Sequence, residues 1–271
     1  AVPSGHTRAT LCYTPSMWFV LTLAAAALWS AADVMGSILV RHEERNPMIL
    51  QWVQSIFHLL ILAFVALSID VRTTWWGLFT VAGLSGYAGA LAFYHILHHL
   101  DVSVSNAAWV LLALNMSAVS FVLFGEMWSL SQAVGAVLVL GGVSLLSFWH
   151  RHVSLLRTLA FLLLPALFYT PFFLIQKAAL LSGESIGVAF FWPFFTLKTS
   201  AFLVPLLMGA HRARIAACWR RAQPWFFVLN CSVVLCTVIG FYAITQAYAR
   251  GPASLVSVVT NAQSFFVIAF A

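Results

Sequence analysis

An all-α, polytopic transmembrane helical bundle is the fold class this sequence predicts, on three observations. Of its 271 residues, 62% are hydrophobic and only 7% are charged, and mean hydropathy is +0.97. A soluble domain averages about 45–50% apolar and about 25% charged residues, so a soluble reading would leave a large apolar surface in water. Apolar runs of about 20 residues, the length that crosses a bilayer core, alternate with short polar turns. Lipid cannot satisfy backbone polar groups, so spans joined this tightly imply antiparallel helical neighbours. The short alternating segments of a β-barrel are absent.

Nine spans follow in chain order, each bounded by a polar turn. Met17–Val40 carries one charge, Asp33, and stops at the charged stretch Arg41–Asn46. Pro47–Ile69 ends at Asp70–Thr74, and the Gly- and Ala-rich Trp75–Leu97 ends at His98–Asp101. Val102–Phe124 closes on Gly125–Trp128, and Ser129–Trp149 on His150–Ser154. Leu155–Leu181 stops at Ser182–Glu184. Ser185–Gly209 precedes the longer connection Ala210–Ala222. Gln223–Tyr248 ends at Ala249–Gly251, and Pro252–Ala271 completes the chain.

The net charge of +6 would suggest nucleic acid in a soluble protein. Here the arginines lie between apolar runs, with no basic stripe interleaved with exposed aromatics, so no nucleic-acid partner is expected. One set of turns collects Arg41, Arg45, Arg151, Arg157, Arg212, Arg214, Arg220 and Arg221; the other holds Arg8, Arg72 and Arg250, with Lys177 near it. The positive-inside rule makes the first side cytoplasmic and the N-terminus external. This reads as a multi-pass protein of the plasma (inner) membrane with the bilayer as partner; a homodimer is left open. Cys12, Cys218, Cys231 and Cys236 have neither metal-type nor CxxC spacing. No cofactor or metal is implied. The polar start lacks a signal-peptide layout, and the missing initial Met points to an upstream end processed or lost.

Internal repetition is the next signal. Aligning Trp52 with Trp192 places His58 on Lys198, and Phe93-Tyr94 matches Phe241-Tyr242 further along each half. Two halves follow, 1–150 and 151–271, the second inverted through the membrane because each copy has an odd number of spans.

At Phe121–Ser147 the sequence reads FVLFGEMWSLSQAVGAVLVLGGVSLLS. This resembles the end of an EamA-type half in the drug/metabolite transporter superfamily, where a Gly-Glu pair closes the fourth span and a Gly-containing fifth span follows. Gly125-Glu126 supplies the pair; Gly135, Gly141 and Gly142 supply the glycines. Ala27-Leu28-Trp29-Ser30 resembles the start of the family's first span, with Ser30 where Gly is usual. Ala249-Arg250-Gly251-Pro252-Ala253-Ser254 resembles the entry to its ninth. The resemblance implies two inverted five-helix repeats, nine helices being present of an expected ten; the second Gly-Glu pair would fall a few residues past Ala271. Many members are drawn with both termini in the cytoplasm, opposite to the arginine count here.

A charge at the bilayer centre costs about 2.5–3.5 kcal/mol on insertion scales and is commonly kept for function. Asp33, His58 and Lys198 are such residues. Asp33 reads as a proton- or cation-binding carboxylate, or else as one half of a structural ion pair; the superfamily's small multidrug members, which carry an acid in their first helix, support the first reading by resemblance. Lys198, too deep to snorkel, reads as a contact for an anionic group or as Asp33's partner. His58 titrates near neutrality in the open but is also an ordinary packing residue. Trp29 shares a face with Asp33 and, with Trp192, offers an aromatic wall. Asn115, Tyr169 and Asn261 are polar candidates for the cavity; Asn261 belongs to the stripe Ser257, Asn261, Ser264. Such residues also make plain interhelical contacts, worth about 0.6 kcal/mol on average. Gly83, Gly86 and Gly89 read as a close-packing face, Glu126 as a cap for the fifth helix, and Lys177 as a snorkelling helix-end residue.

These residues point to a transporter of a small organic metabolite or drug-like solute by alternating access, with proton coupling left open. Acid plus lysine suits a zwitterion such as an amino acid. Two other readings stand beside it. Gly83-Leu84-Ser85-Gly86 matches the GxSG of rhomboid intramembrane proteases, although no later helix interior carries the histidine a dyad needs. A non-transporting membrane scaffold is the other.

Overall fold

The computed structural model describes residues 15–44, 46–100, 105, 107–148 and 155–270. Eleven α-helices run through them, with a π-helical turn, Leu39–Glu43, continuing the first: α1 (Pro15–Ile38), α2 (Pro47–Ala66), α3 (Trp76–His99), α4 (Ala107–Phe124), α5 (Leu130–Phe148), α6 (Leu155–Leu181), α7 (Ile186–Leu207), α8 (Gly209–Arg221), α9 (Pro224–Arg250), α10 (Ala253–Thr260) and α11 (Gln263–Phe270). Seven of them, α1–α4, α6, α7 and α9, are long and apolar enough to cross a membrane. Leu130–Gly142 and Ala253–Val267 are shorter apolar stretches. The chain is a polytopic helical bundle.

Local chemistry explains the starts and stops. Asn46 caps α2, its side chain accepting from Met48 N at 3.0 Å, and Pro47 occupies the first helical turn where its missing N–H is harmless. Ser185 caps α7 through Val188 N at 3.2 Å. Ser129 and Gln132 form a capping box ahead of α5, Ser129 N donating to Gln132 Oε1 at 2.9 Å and Gln132 N to Ser129 Oγ at 3.3 Å. Gly125 and Gly183 end α4 and α6 at φ +63° and +97°, a left-handed conformation that costs glycine nothing.

Four sequence expectations are corrected. Ala210–Ala222 is not a plain connection: Ala and Arg are strong helix formers, and this stretch builds α8 with Ile215 buried and the arginines exposed. The ninth span is two helices, because at Asn261-Ala262 the backbone N–H groups turn to Val258 O (3.0 Å) and Val259 O (2.9 Å). There Thr260 Oγ1 and Asn261 Nδ2 also bond back to Val256 O and Ser257 O, competing with the regular ladder. Glu126 does not cap the helix that follows it. Its carboxylate accepts from Ala253 N (2.7 Å), Ser254 N (2.9 Å) and Ser254 Oγ (2.6 Å), so it caps α10 in the other half. Lys177 turns inward instead of snorkelling, its Nζ donating to the Tyr248 and Gly251 carbonyls at 2.9 Å each, the end of α9. Arg8, Arg45, Arg151 and the rest of the turn His150–Ser154 lie outside the described residues.

Packing joins the halves crosswise. α1 runs along α9, α10 and α11; α3 runs along α6 and α7; α2 lies on α7 and α9; α4 lies on α6 and α10. Exchanging α1 with α6, α2 with α7, α3 with α9, and α4 with the α10–α11 pair turns each of these contacts into another of the set. Without a hydrophobic drive between helices in lipid, small residues that admit close approach hold such contacts. The face expected at Gly83, Gly86 and Gly89 does this. A Cβ on Gly83 would lie 2.5 Å from Thr196 Cβ and 2.7 Å from Pro193 O; on Gly86 it would lie 2.6 Å from Phe172.

Gly83→Ala therefore forces α3 off α7 and should destabilise by about 1–3 kcal/mol. Gly77→Ala meets open space and should be neutral or stabilising by about 0.5–1 kcal/mol. Thermal unfolding in detergent ranks the two, and the reverse order would disprove the packing. In the same assay Glu126→Ala should cost about 0.5–2 kcal/mol, the loss of a helix cap.

Candidate functional site

A cavity of about 70 Å³ opens where α1, α2, α3, α4, α6, α7, α9 and α11 converge. Of the residues expected there, Trp29, Asp33, Tyr169 and Lys198 line it; His58, Asn115, Trp192 and Asn261 do not.

Asp33 is carried into the bundle by α1 and is only half-buried. Its carboxylate accepts hydrogen bonds from Gln263 Nε2 and from the Trp109 indole N–H. Ser30, one turn earlier on α1, donates to Gln263 O at 2.8 Å and so fixes the start of α11 against α1. Lys198 is buried, its Nζ 5.2 Å from the centroid of the Phe194 ring, a cation–π distance. The ion pair considered for these two is not formed: both side chains face the cavity and no salt bridge joins them.

Aromatic rings close the wall. Trp109 stacks on Trp29 at 6.3 Å and meets Tyr169 at 5.3 Å and Phe93 at 5.0 Å. Tyr169 continues to Phe173 (6.1 Å), Phe173 to Phe241 (6.1 Å), and Phe241 back to Trp29 (4.9 Å). Two glycines seat the cage. A Cβ on Gly240 would lie 2.5 Å from the Trp29 indole nitrogen, and one on Gly89 would lie 2.9 Å from the Tyr169 ring.

Polar groups line the remaining side. Tyr94 OH donates to Gln54 Oε1 at 3.1 Å. Gln51 Oε1, Gln54 Nε2, Gln263 Oε1 and Trp29 Nε1 are buried on cavity-lining residues without a hydrogen-bond partner. Buried polar atoms are normally paired, so four such atoms around one hollow give it capacity for a polar ligand.

The other expected residues do different work. His58 is fully buried; its Nδ1 donates to Gln54 O at 2.8 Å and its ring meets Phe194 edge-on at 5.2 Å. It therefore braces the aromatic ring under Lys198. Trp192 Nε1 donates to Val71 O at 2.7 Å and anchors the α2–α3 turn. Asn261 bonds back within α10, and Asn115 keeps a buried Nδ2 without a partner. Ser85, the protease candidate, donates to the Phe168 carbonyl and not to a histidine.

Gln51, Gln54, Tyr94, Trp109 and Gln263 were not anticipated. The glutamines carried a signal: two amides inside the apolar α2, one turn apart and one turn before His58, and a third beside the Ser257, Asn261, Ser264 stripe. Trp109 carried none, since nothing distinguishes it from the chain's ten other tryptophans.

Residues 16–148, just under half of the chain, match the EamA-like transporter family. A solved structure, titled only as a crystal structure of a protein, superposes with a TM-score of 0.66 at 16% identity, covering 93% of this chain and 86% of that one. At that identity it speaks for the fold alone. No curated protein is similar enough in sequence to count as a relative. Together these fit an EamA-type transporter of the drug/metabolite transporter superfamily, a membrane transporter of small solutes.

The Gln263–Asp33 bond gives the site its own test. Gln263→Met keeps most of the side-chain bulk while removing the buried Gln263 amide and a donor to the half-buried Asp33, and should cost about 1–3 kcal/mol. Gln223→Met, at an exposed glutamine whose side chain makes no cap bond, should leave the detergent melting point nearly unchanged. Equal melting points would show that the bond holds nothing in place.

Proposed function

We propose that this protein carries a small zwitterionic metabolite with an apolar or aromatic body, an amino acid or similar solute, across the plasma (inner) membrane by alternating access. One observation carries the reading: Asp33 and Lys198, from opposite halves, face one aromatic-walled cavity without pairing with each other. The acid suits an ammonium, the lysine suits a carboxylate, and the cage of Trp29, Trp109 and Tyr169 suits the body between them. The unpartnered glutamine atoms supply orienting hydrogen bonds. His58 acts indirectly, by bracing Phe194 beneath Lys198. Asn115, Trp192 and Asn261 stay outside the substrate's reach in this conformation.

At about 70 Å³ the hollow is well below the roughly 300–1,000 Å³ of occupied small-molecule pockets. Loading therefore requires the halves, 1–150 and 151–271, to part and close again on the other side. The crosswise contact pattern supports an inverted repeat, which gives two ways to open related by a pseudo-two-fold rotation. Asp33 is the acidic group among the cavity-lining residues, so a proton taken up and released there couples the movement to a proton gradient.

Reconstitution in vesicles with a panel of labelled amino acids tests this. Asp33→Asn should lower uptake or efflux by roughly tenfold or more, the loss expected when about 1.4 kcal/mol of binding is removed, while insertion and melting point persist. Lys198→Met should abolish discrimination between an amino acid and the corresponding amine. Unchanged transport by Asp33→Asn would remove that residue from the mechanism.

A further inference from the structure

A second hollow, of about 280 Å³, lies between α8, the start of α9 and Glu44 on the α1–α2 link. Arg214 and Arg221 enter it from α8. Seven residues apart, they sit two turns along one face of that helix. Cys218, Ala222 and the buried Phe226 give the hollow an apolar floor.

The four arginines of α8 are not used alike. Arg212 Nε donates to Leu206 O at 2.7 Å, and Arg220 Nε to Ala216 O at 3.3 Å, so one head is drawn onto the end of α7 and the other onto a carbonyl of α8 itself. Among the described residues no hydrogen bond or ion pair occupies Arg214 or Arg221, and both side chains are exposed toward the hollow. Glu44, the acid at the rim, accepts from Asn46 N at 2.9 Å and is engaged in the α1–α2 turn.

The surroundings are those of a membrane surface. Trp219 and Trp225 remain 43% and 40% exposed on α8 and at the entry of α9, although Trp219 also packs on Phe227 at 5.0 Å. Such half-open tryptophans sit at headgroup level. α8 itself, with one buried Ile215 and a row of arginines, has the make-up of an interfacial helix.

We propose that this hollow binds the headgroup of an anionic phospholipid, with Arg214 and Arg221 forking the phosphodiester and Phe226 flooring the glycerol end. Guanidinium groups favour such bidentate contacts, and basic pockets beside membrane helices take anionic headgroups. A free phosphate would use the charges but not the apolar floor. The volume is near the lower end of the small-molecule range of about 300–1,000 Å³, enough for one headgroup. The site is remote from the central cavity and independent of what that cavity carries.

Native mass spectrometry of the detergent-purified full chain, titrated with phosphatidylglycerol or phosphatidylcholine of equal chain length, tests it. The unmodified protein should retain phosphatidylglycerol preferentially. Arg214→Gln with Arg221→Gln should weaken that retention about tenfold, while Arg212→Gln with Arg220→Gln leaves it intact. Glu44→Gln, which keeps an acceptor for Asn46 N but removes a negative charge, should strengthen it. Equal retention of the two lipids, equal losses from the two arginine pairs, or displacement of the lipid by millimolar inorganic phosphate would each overturn the proposal. Should the α8 variants fail to fold, the lipid preference of the unmodified chain and the Glu44→Gln result still decide.

Discussion

Two aromatic rings lying on two glycines determine where the central cavity is. Trp29 on α1 rests against Gly240 of α9, and Tyr169 on α6 rests against Gly89 of α3. Each contact joins a helix from the N-terminal part of the chain to one from the C-terminal part. A side chain at either glycine would push the ring inward, and the hollow between them would fill. In lipid the helices gain little from hiding apolar surface from one another, so fit of this kind carries much of the association. The site and the fold thus rest on the same two contacts.

The buried polar residues divide by how completely their hydrogen-bonding capacity is used. At one end of the bundle Glu126 spends both carboxylate oxygens on the start of α10, and Lys177 holds two carbonyls at the end of α9. Thr73 joins them there, donating to Glu184 at 2.7 Å. These groups lock the turns of the two halves together and have little left to offer a ligand. Near the middle the situation differs. Asp33 has two donors and an open side, Lys198 has a ring beneath it and no carboxylate, and the glutamine amides keep unpartnered atoms. Leaving such groups unpaired costs about 1–3 kcal/mol each, which a chain tolerates where a polar solute is to be received.

Fold class, the positions of the long apolar helices and the close-packing face were legible in the sequence because each follows from a local rule: run length, turn composition, spacing of small residues. Asp33 and Lys198 were legible because an ionisable group inside an apolar run is conspicuous. Tertiary partners were not. Glu126 sits just before α5, where dipole reasoning assigns it, yet the box formed by Ser129 and Gln132 already serves that helix. Lys177 looked near enough to a helix end to reach water, yet two unpaired carbonyls from α9 lie closer. Neither outcome follows from the residue's own neighbours in the chain. The same holds for Trp109, whose importance comes from standing between Trp29 and Tyr169, residues far from it in sequence.

The break between α10 and α11 connects these observations. Thr260 and Asn261 draw side-chain donors onto carbonyls one turn back, the ladder tightens, and the helix restarts at Gln263. Gln263 is also the residue whose amide meets Asp33 and whose carbonyl receives Ser30. An unbroken helix would move as one rod from the Glu126 cap to its far end. With the ladder interrupted, α11 is tied to α1 through Ser30 and Asp33, while α10 is tied to the α4–α5 turn through Glu126. The break at Asn261-Ala262 separates the two ties, so the donors around Asp33 are set by α11 and α1 and not by the cap on α10. One interrupted segment thus makes two separate contacts with the rest of the chain, a structural cap at Glu126 and a polar contact at Asp33.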